Sequence, residues 1–473
     1  MNNVRPRLKM LTEEQKQEIH QNTLQVLAKT GVRVDSPSAL EMLKKRVGSS
    51  NVEDRTVRIP RDLIEWAIRV APKRIQIFDR KGNPQFQIGG AEDRIRFGIG
   101  VTALYYQEPE TDAPVLFERR HMRDMVRLGN KLPHYDMVST VGIVRDVPER
   151  LTDVYGSLEH FANGTKPMVL LVSDEHKFDD VMRMFELLHG DLGDKPFIIP
   201  YFNPVSPLVL NAGTVDKMKM SIERGLPTII SNYSMSGATT PITPAGTIAV
   251  LLAELLAGLV IGQSYKEGAP MLLGMLPVYF DMKTLMNFYD PQSILVNLAC
   301  AEMMEFYGIP HCGTSGSGTG WGMDLLAAET YWMNTLTFSL TKGGIAPFVG
   351  DTLGSKAVSP LTFIYCHEII DQALRIANGF HLDNIHTGLE EIQAIGAGRS
   401  YVTAPLTLKK YKTGYYVNSI FPRWSMEKWM EAGQPRAQQW LRDYSIEFLK
   451  DLPAPEDHEE LMGRGEEFIK TLP

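Results

Sequence analysis

The sequence predicts an α/β fold: a (β/α)8 barrel of the TIM type, with an N-terminal α/β preface and a C-terminal helical tail. Three observations carry this. Eight short apolar runs between residues 94 and 384 are separated by helical patterns. The runs are rich in β-branched residues and mostly lack polar alternation, as suits strands buried on both faces. The stretch Leu226–Phe280 displays one whole repeat: an apolar run, a helix opened by Thr243-Pro244, and a second apolar run. An open, doubly wound sheet is the structural alternative.

Residues 1–93 form the preface. Thr12 caps a helix over Leu11–Gly31, with Glu13 and Glu14 in its first turn and Gly31 as its stop. Pro37–Val47 and Arg61–Val70 are two further helices, and Val57–Pro60 is extended. Ile75–Asp79 and Gln85–Gly89 alternate around a Gly82-Asn83 turn, a hairpin signal.

Residues 94–384 hold the barrel. Its strands are expected at Ile95–Ile99, Met137–Val144, Met168–Val172, Phe197–Tyr201, Thr228–Ser231, Met271–Leu276, Ile309–Thr314 and Ile345–Gly350. Helices are expected at Arg119–Asn130, Leu151–Asn163, His176–Leu188, Ala212–Glu223, Ala245–Gln263, Pro291–Tyr307, Leu325–Leu340 and Thr362–Asn378. The first crossover is unusual, because Tyr105–Leu116 reads as a hairpin or arm. The fifth helix is apolar nearly all round, but its run of ~14 apolar residues is shorter than a bilayer needs. Glu254 interrupts that run, either snorkelling or pairing with a base, or serving a site. Residues 385–473 are the tail, packing on the barrel or on a neighbouring subunit. It holds a helix over Gln434–Leu449 and a polar end, Asp451–Pro473, placed on the surface or against that neighbour.

The chain has 473 residues and a net charge of −7, which argues against nucleic-acid or anionic-membrane partners. Three cysteines and no signal-peptide pattern point to a reducing, cytoplasmic setting without a disulfide framework. The paired neighbours His311-Cys312 and Cys366-His367 lack the spacing of a zinc site, so no metal is expected.

In a barrel the site lies at the carboxyl ends of the strands. Those ends carry many aromatics: Phe97, Tyr201, Phe202, Tyr233, Tyr279 and Phe348, with Trp321 nearby, and they also carry Asn203, Asn232, His311 and Asp351. Aromatic faces attract quaternary ammonium groups through their quadrupoles. The bland reading is that many of these rings fill core. Gly313–Gly322, GTSGSGTGWG, follows the seventh run. It could cradle phosphate, admit a flat partner, or simply turn; it lacks the spacing of a P-loop.

The chain resembles the trimethylamine methyltransferase family. The likeness is carried by SGATTPITPAG (Ser236–Gly246), AELLAG (Ala253–Gly258), GAPMLLGMLP (Gly268–Pro277) and YGIPHCGTSG (Tyr307–Gly316). Upstream blocks follow in order: Arg119–Asp136, Asp146–Asp153, Asn163–Met168 and Asn203–Leu208. The resemblance implies a barrel that moves a methyl group from a methylated amine to the cobalt of a separate corrinoid protein. The chain contains only standard residues, so it is similar to the branch without pyrrolysine, which includes glycine betaine methyltransferases. The resemblance then implies a quaternary-amine substrate and a cobamide carried by the partner, not tightly held here. It also suggests a homo-oligomer. Within it, Phe97, Tyr201, Tyr233, Tyr279 and Phe348 would hold the cation. His311, with Asn232 behind it, would meet a substrate carboxylate, and Glu254 would stand near the site. Gly313, Thr314, Ser315, Gly316 and Trp321 would face the corrinoid. The alternatives are a non-catalytic quaternary-amine binder and an unrelated phosphate-using barrel.

Overall fold

The computed structural model describes residues 3–90, 94–314, 317–382 and 385–473. Eight parallel strands close into a barrel: β1 (Arg96–Ile99), β2 (Met137–Ser139), β3 (Met168–Leu170), β4 (Ile198–Phe202), β5 (Thr228–Ser236), β6 (Met271–Asp281), β7 (His311–Cys312) and β8 (Gly344–Val349). Each pairs with the next in sequence, and β8 returns to β1. Within the barrel, closure gives each of the eight strands a partner on both sides. The helices that follow the strands are α1 (Arg119–Lys131), α2 (Thr152–Asn163), α3 (Phe178–His189), α4 (Ala212–Glu223), α5 (Pro244–Tyr265), α6 (Pro291–Tyr307), α7 (Leu325–Ser339) and α8 (Pro360–Asn378).

Three additions shape the two ends of the barrel. The hairpin Ile75–Phe78/Pro84–Ile88 plugs the amino-terminal end. Its Ile75, Ile77, Phe86 and Ile88 pack on the inward-facing Met137, Val169, Ile199, Ile229, Leu272 and Ile345. At the opposite end, β5 and β6 run well past the expected ends at Ser231 and Leu276. They stay paired in nine successive registers, from Thr228 opposite Met271 to Ser236 opposite Tyr279. Met286–Phe288 then folds back antiparallel on β6, so a three-stranded wing stands above the rim. Asn232, Ser234 and Ser236 are polar residues of β5 beyond Ser231. In the fold their backbone groups are satisfied by a neighbouring strand, which outweighs weak strand propensity. The second addition at this end is the expected hairpin, Tyr105–Gln107 with Pro114–Leu116. It joins Ala357–Val358 and Asp351–Thr352 in a small sheet.

Helix α5 is longer than the sequence suggests: at 22 residues it is long and apolar enough to cross a bilayer by length and composition. It is instead buried inside the protein. The preface helices Glu13–Gln25, Pro37–Val47 and Arg61–Val70 cover its outer side, which explains an apolar surface all round. The capping box of Thr12 and Gln15 starts the first of these helices as its sequence requires.

The polar end of the tail also gains structure. Residues His458–Lys470 form a helix whose Leu461, Gly465 and Ile469 are buried against α2 and α3. Two ion-paired arginines fasten it. Arg80 grips Asp457 through two bonds of 2.7 and 2.8 Å, and Arg119 reaches Glu466 at 2.8 Å.

Candidate active site

A cavity of about 310 Å³ opens at the carboxyl end of the barrel, between the wing and the small sheet. Its walls come from the inward positions of the strands. On β4 and β5, period-two alternation carries Ile199 and Ile229 inward at the floor, and so Tyr201 and Tyr233 inward at the mouth. Phe348 comes from β8 and meets Tyr201 edge to face, at 4.9 Å between ring centres. Tyr289, just beyond the wing's return strand, completes four aromatic walls.

Polar groups fill the gaps between the rings, and most are held by the protein itself. The Asn203 amide donates to the Ser231 carbonyl at 3.0 Å and to the Tyr201 hydroxyl at 3.4 Å. The Asn287 amide donates to the Tyr233 hydroxyl. Burial pushes the Tyr289 phenol up to about 12, so it stays neutral.

Asp351 is the charged group of the cavity. Gly350, with φ of +93° and its missing Cβ directed at Phe363, turns the chain sharply after β8. That turn brings Asp351 to the cavity wall with only 1% of its surface exposed. One carboxylate oxygen accepts from Ser355 at 2.8 Å, and Ser317 lies 3.0 Å from the same hydroxyl. The other oxygen has no hydrogen-bond partner. Burial pushes the carboxyl up to about 6, against the opposing pull of the hydroxyls of Ser317 and Ser355. None of the described residues lining the cavity is Arg, Lys or His.

The expected site residues divide sharply. Tyr201, Tyr233, Thr314 and Phe348 line this cavity. Phe97, fully buried, faces outward from β1 into the layer beneath α1 and α8. Asn232 also faces outward: its amide donates to the Leu251 carbonyl at 3.0 Å and to Glu254 at 2.7 Å. Glu254 accepts from Ser206, at 2.8 Å, and from the Leu208 backbone, at 2.8 Å, as well. It neither snorkels nor pairs with a base; it fastens α5 to β5 and to the loop after β4. Burial pushes its carboxyl up, and these three donors pull the other way.

His311 lies at the start of β7, towards the plugged end, edge-on to Phe338 at 5.6 Å. Burial pushes its imidazole down to about 4, so it carries no charge near neutrality. Tyr279 sits out on the wing beside Phe288. Trp321 pins the small sheet, its indole N–H donating to the Asp112 carbonyl at 3.0 Å. A Cβ on Gly313, Gly318, Gly320 or Gly322 would strike Phe338, Tyr331, Asp324 or Gln107, so these glycines serve close internal packing. Ser315 and Gly316 lie outside the described residues. Among the described residues no cluster of potential metal ligands is present. Cys312 and Cys366 are buried thiols, both pushed up by burial.

A family model described as trimethylamine methyltransferase (MTTB) matches residues 1–471. The chain belongs to this family. It is a methyltransferase. It is 25% identical over 455 residues to a glycine betaine methyltransferase of Desulfitobacterium hafniense (strain Y51), covering 93% of each chain. It is 24% identical to the trimethylamine methyltransferase MttB of Desulfitobacterium hafniense (strain DSM 10664 / DCB-2), covering 94% of this chain and 90% of that one. The crystal structure of the Methanosarcina barkeri monomethylamine methyltransferase (MtmB) superposes with a TM-score of 0.53 at 9% identity. That superposition covers 96% of this chain and 90% of the other, and it supports the barrel fold.

Proposed function

We propose that this methyltransferase takes a methyl group from a quaternary amine and passes it to the cobalt(I) of a separate corrinoid protein. The observation that carries the reading is the cavity itself: four aromatic walls around one buried, half-partnered carboxylate. Such a box replaces the hydration of a trimethylammonium group with ring faces and a single counter-charge. Transfer breaks one C–N bond, whose electron pair stays on nitrogen. The cobalt supplies the pair that binds the methyl carbon, and a neutral tertiary amine leaves without a proton. The residues need only hold the cation, aim one methyl outward and exclude water. No acid is required, which suits a cavity whose phenols stay neutral.

The rim supports a partner-borne corrinoid. Ile242, Met282, Leu285, Met286 and Leu353 are exposed apolar residues around the wing and the small sheet, a surface suited to a flat macrocycle and its carrier. The lack of a basic side chain among the cavity's described lining, and glycines committed to internal packing, speak against the phosphate reading. The unpaired buried thiols support a cytoplasmic setting. Exposed Leu389, Ile392, Val402, Leu408 and Val417 in the tail support a homo-oligomer.

The reading is tested by mixing purified protein with cob(I)alamin and a panel of quaternary amines, following methylcobalamin by absorbance. Methylation with a member of the panel is expected. Silence across the panel, repeated with a cognate corrinoid protein, would overturn it.

A further inference from the structure

We propose that the substrate is a cation bearing no carboxylate: a tetraalkylammonium ion or a trimethylammonium alcohol, rather than a betaine. This rests on the quaternary-amine reading above and narrows it. The argument is one of charge and of donors.

The cavity wall supplies one negative charge, at Asp351, and no described lining residue supplies a positive one. The titratable groups facing Asp351 are the phenols of Tyr233, Tyr289 and Tyr331 and the Cys366 thiol, all held neutral by burial. A simple cation therefore leaves the cavity neutral. A betaine brings its own carboxylate into about 310 Å³ beside Asp351, and leaves one buried negative charge uncompensated. Like charges at such range disfavour each other strongly where water is excluded.

The donors point the same way. A bound carboxylate wants cations or free N–H groups. Asn203 spends both of its amide N–H groups within the protein, and Asn287 gives one of its two to Tyr233. Thr102 donates to a backbone carbonyl, and the Ser355 hydroxyl is spent on Asp351 itself. What remains are one N–H of Asn287 and the tyrosine hydroxyls, neutral donors that suit an alcohol oxygen better than a carboxylate.

The test is calorimetric titration of the full chain at pH 7.5 with tetramethylammonium, choline and glycine betaine, on wild type and Asp351→Asn. Tetramethylammonium or choline is expected to bind at least 30-fold more tightly than glycine betaine. Asp351→Asn should weaken those two at least tenfold and close most of the gap to glycine betaine. Glycine betaine binding as tightly as the other two would overturn the proposal while sparing the quaternary-amine reading. Failure of all three ligands to bind folded wild-type protein would overturn both. The wild-type comparison stands without the variant, should Asp351→Asn not fold.

Discussion

Glu254 and Asp351 are both buried carboxylates towards the carboxyl-terminal end of the barrel, and both have carboxyls pushed up by burial. Glu254 lies outside the barrel wall, between β5 and α5, with three donors within 2.8 Å. Asp351 lies inside the mouth, with one oxygen bonded to Ser355 and the other without a partner. The contrast separates two uses of the same group. A carboxylate whose lone pairs are filled by its own chain holds elements together. One left half-filled in a cavity wall keeps a charge that a bound cation can offset.

The contrast can be broken first at Glu254. Glu254→Ala should cost about 3–5 kcal/mol of stability, because three donors lose their acceptor and a void remains. Affinity measured on the folded fraction should barely change; denaturant titration and calorimetry together check this. Phe97→Ala should behave alike, losing about 3–5 kcal/mol of stability while sparing ligand affinity, since Phe97 faces the helix layer.

Asp351→Asn should do the reverse. The gap between the ordinary value of 3.8 and about 6 makes the ionised carboxylate a cost on the order of 3 kcal/mol above pH 6. Its amide should therefore be tolerated or stabilising near neutrality, while cation affinity falls by about 2–3 kcal/mol. The sign of the pH dependence follows. The folded state holds this proton more tightly than the unfolded chain. The side chain's contribution to stability is thus complete below pH 3.8 and is lost as pH rises towards 6. Cation affinity runs the other way, weakening as pH falls through about 6, with about a tenfold loss per unit below it. Calorimetry from pH 5 to 8 checks it. The smallest effect belongs to a single wall: Phe348→Ala should weaken quaternary-amine binding by about 0.5–2 kcal/mol.

The barrel was legible because its strands are buried on both faces and its helices carry capping and stop signals. Ala212–Glu223 and Pro291–Tyr307 fall where sequence places them. The site was half legible. Period-two alternation says that neighbours on a strand face opposite ways, but not which one faces in. Tyr233 and Asn232 are adjacent, and only the first enters the mouth. Without the register, Phe97, Asn232 and His311 were as plausible as Tyr201 and Phe348. Tyr289 and Asn287 were missed because the wing's return strand is three residues long and stands among turn residues. The alternation Met286, Asn287, Phe288, Tyr289 ahead of the helix cap Asp290 was the available signal. Asp351 lay at a strand end in plain view, but its aim depends on the left-handed turn at Gly350, which one glycine among 39 does not reveal.

The most direct measurement is a crystal structure with tetramethylammonium bound. The account predicts its nitrogen enclosed by Tyr201, Tyr233, Tyr289 and Phe348, with the Asp351 carboxylate as its nearest charge. Density for the ion beside His311 at the plugged end, or a mouth left empty at saturating ligand, would contradict it.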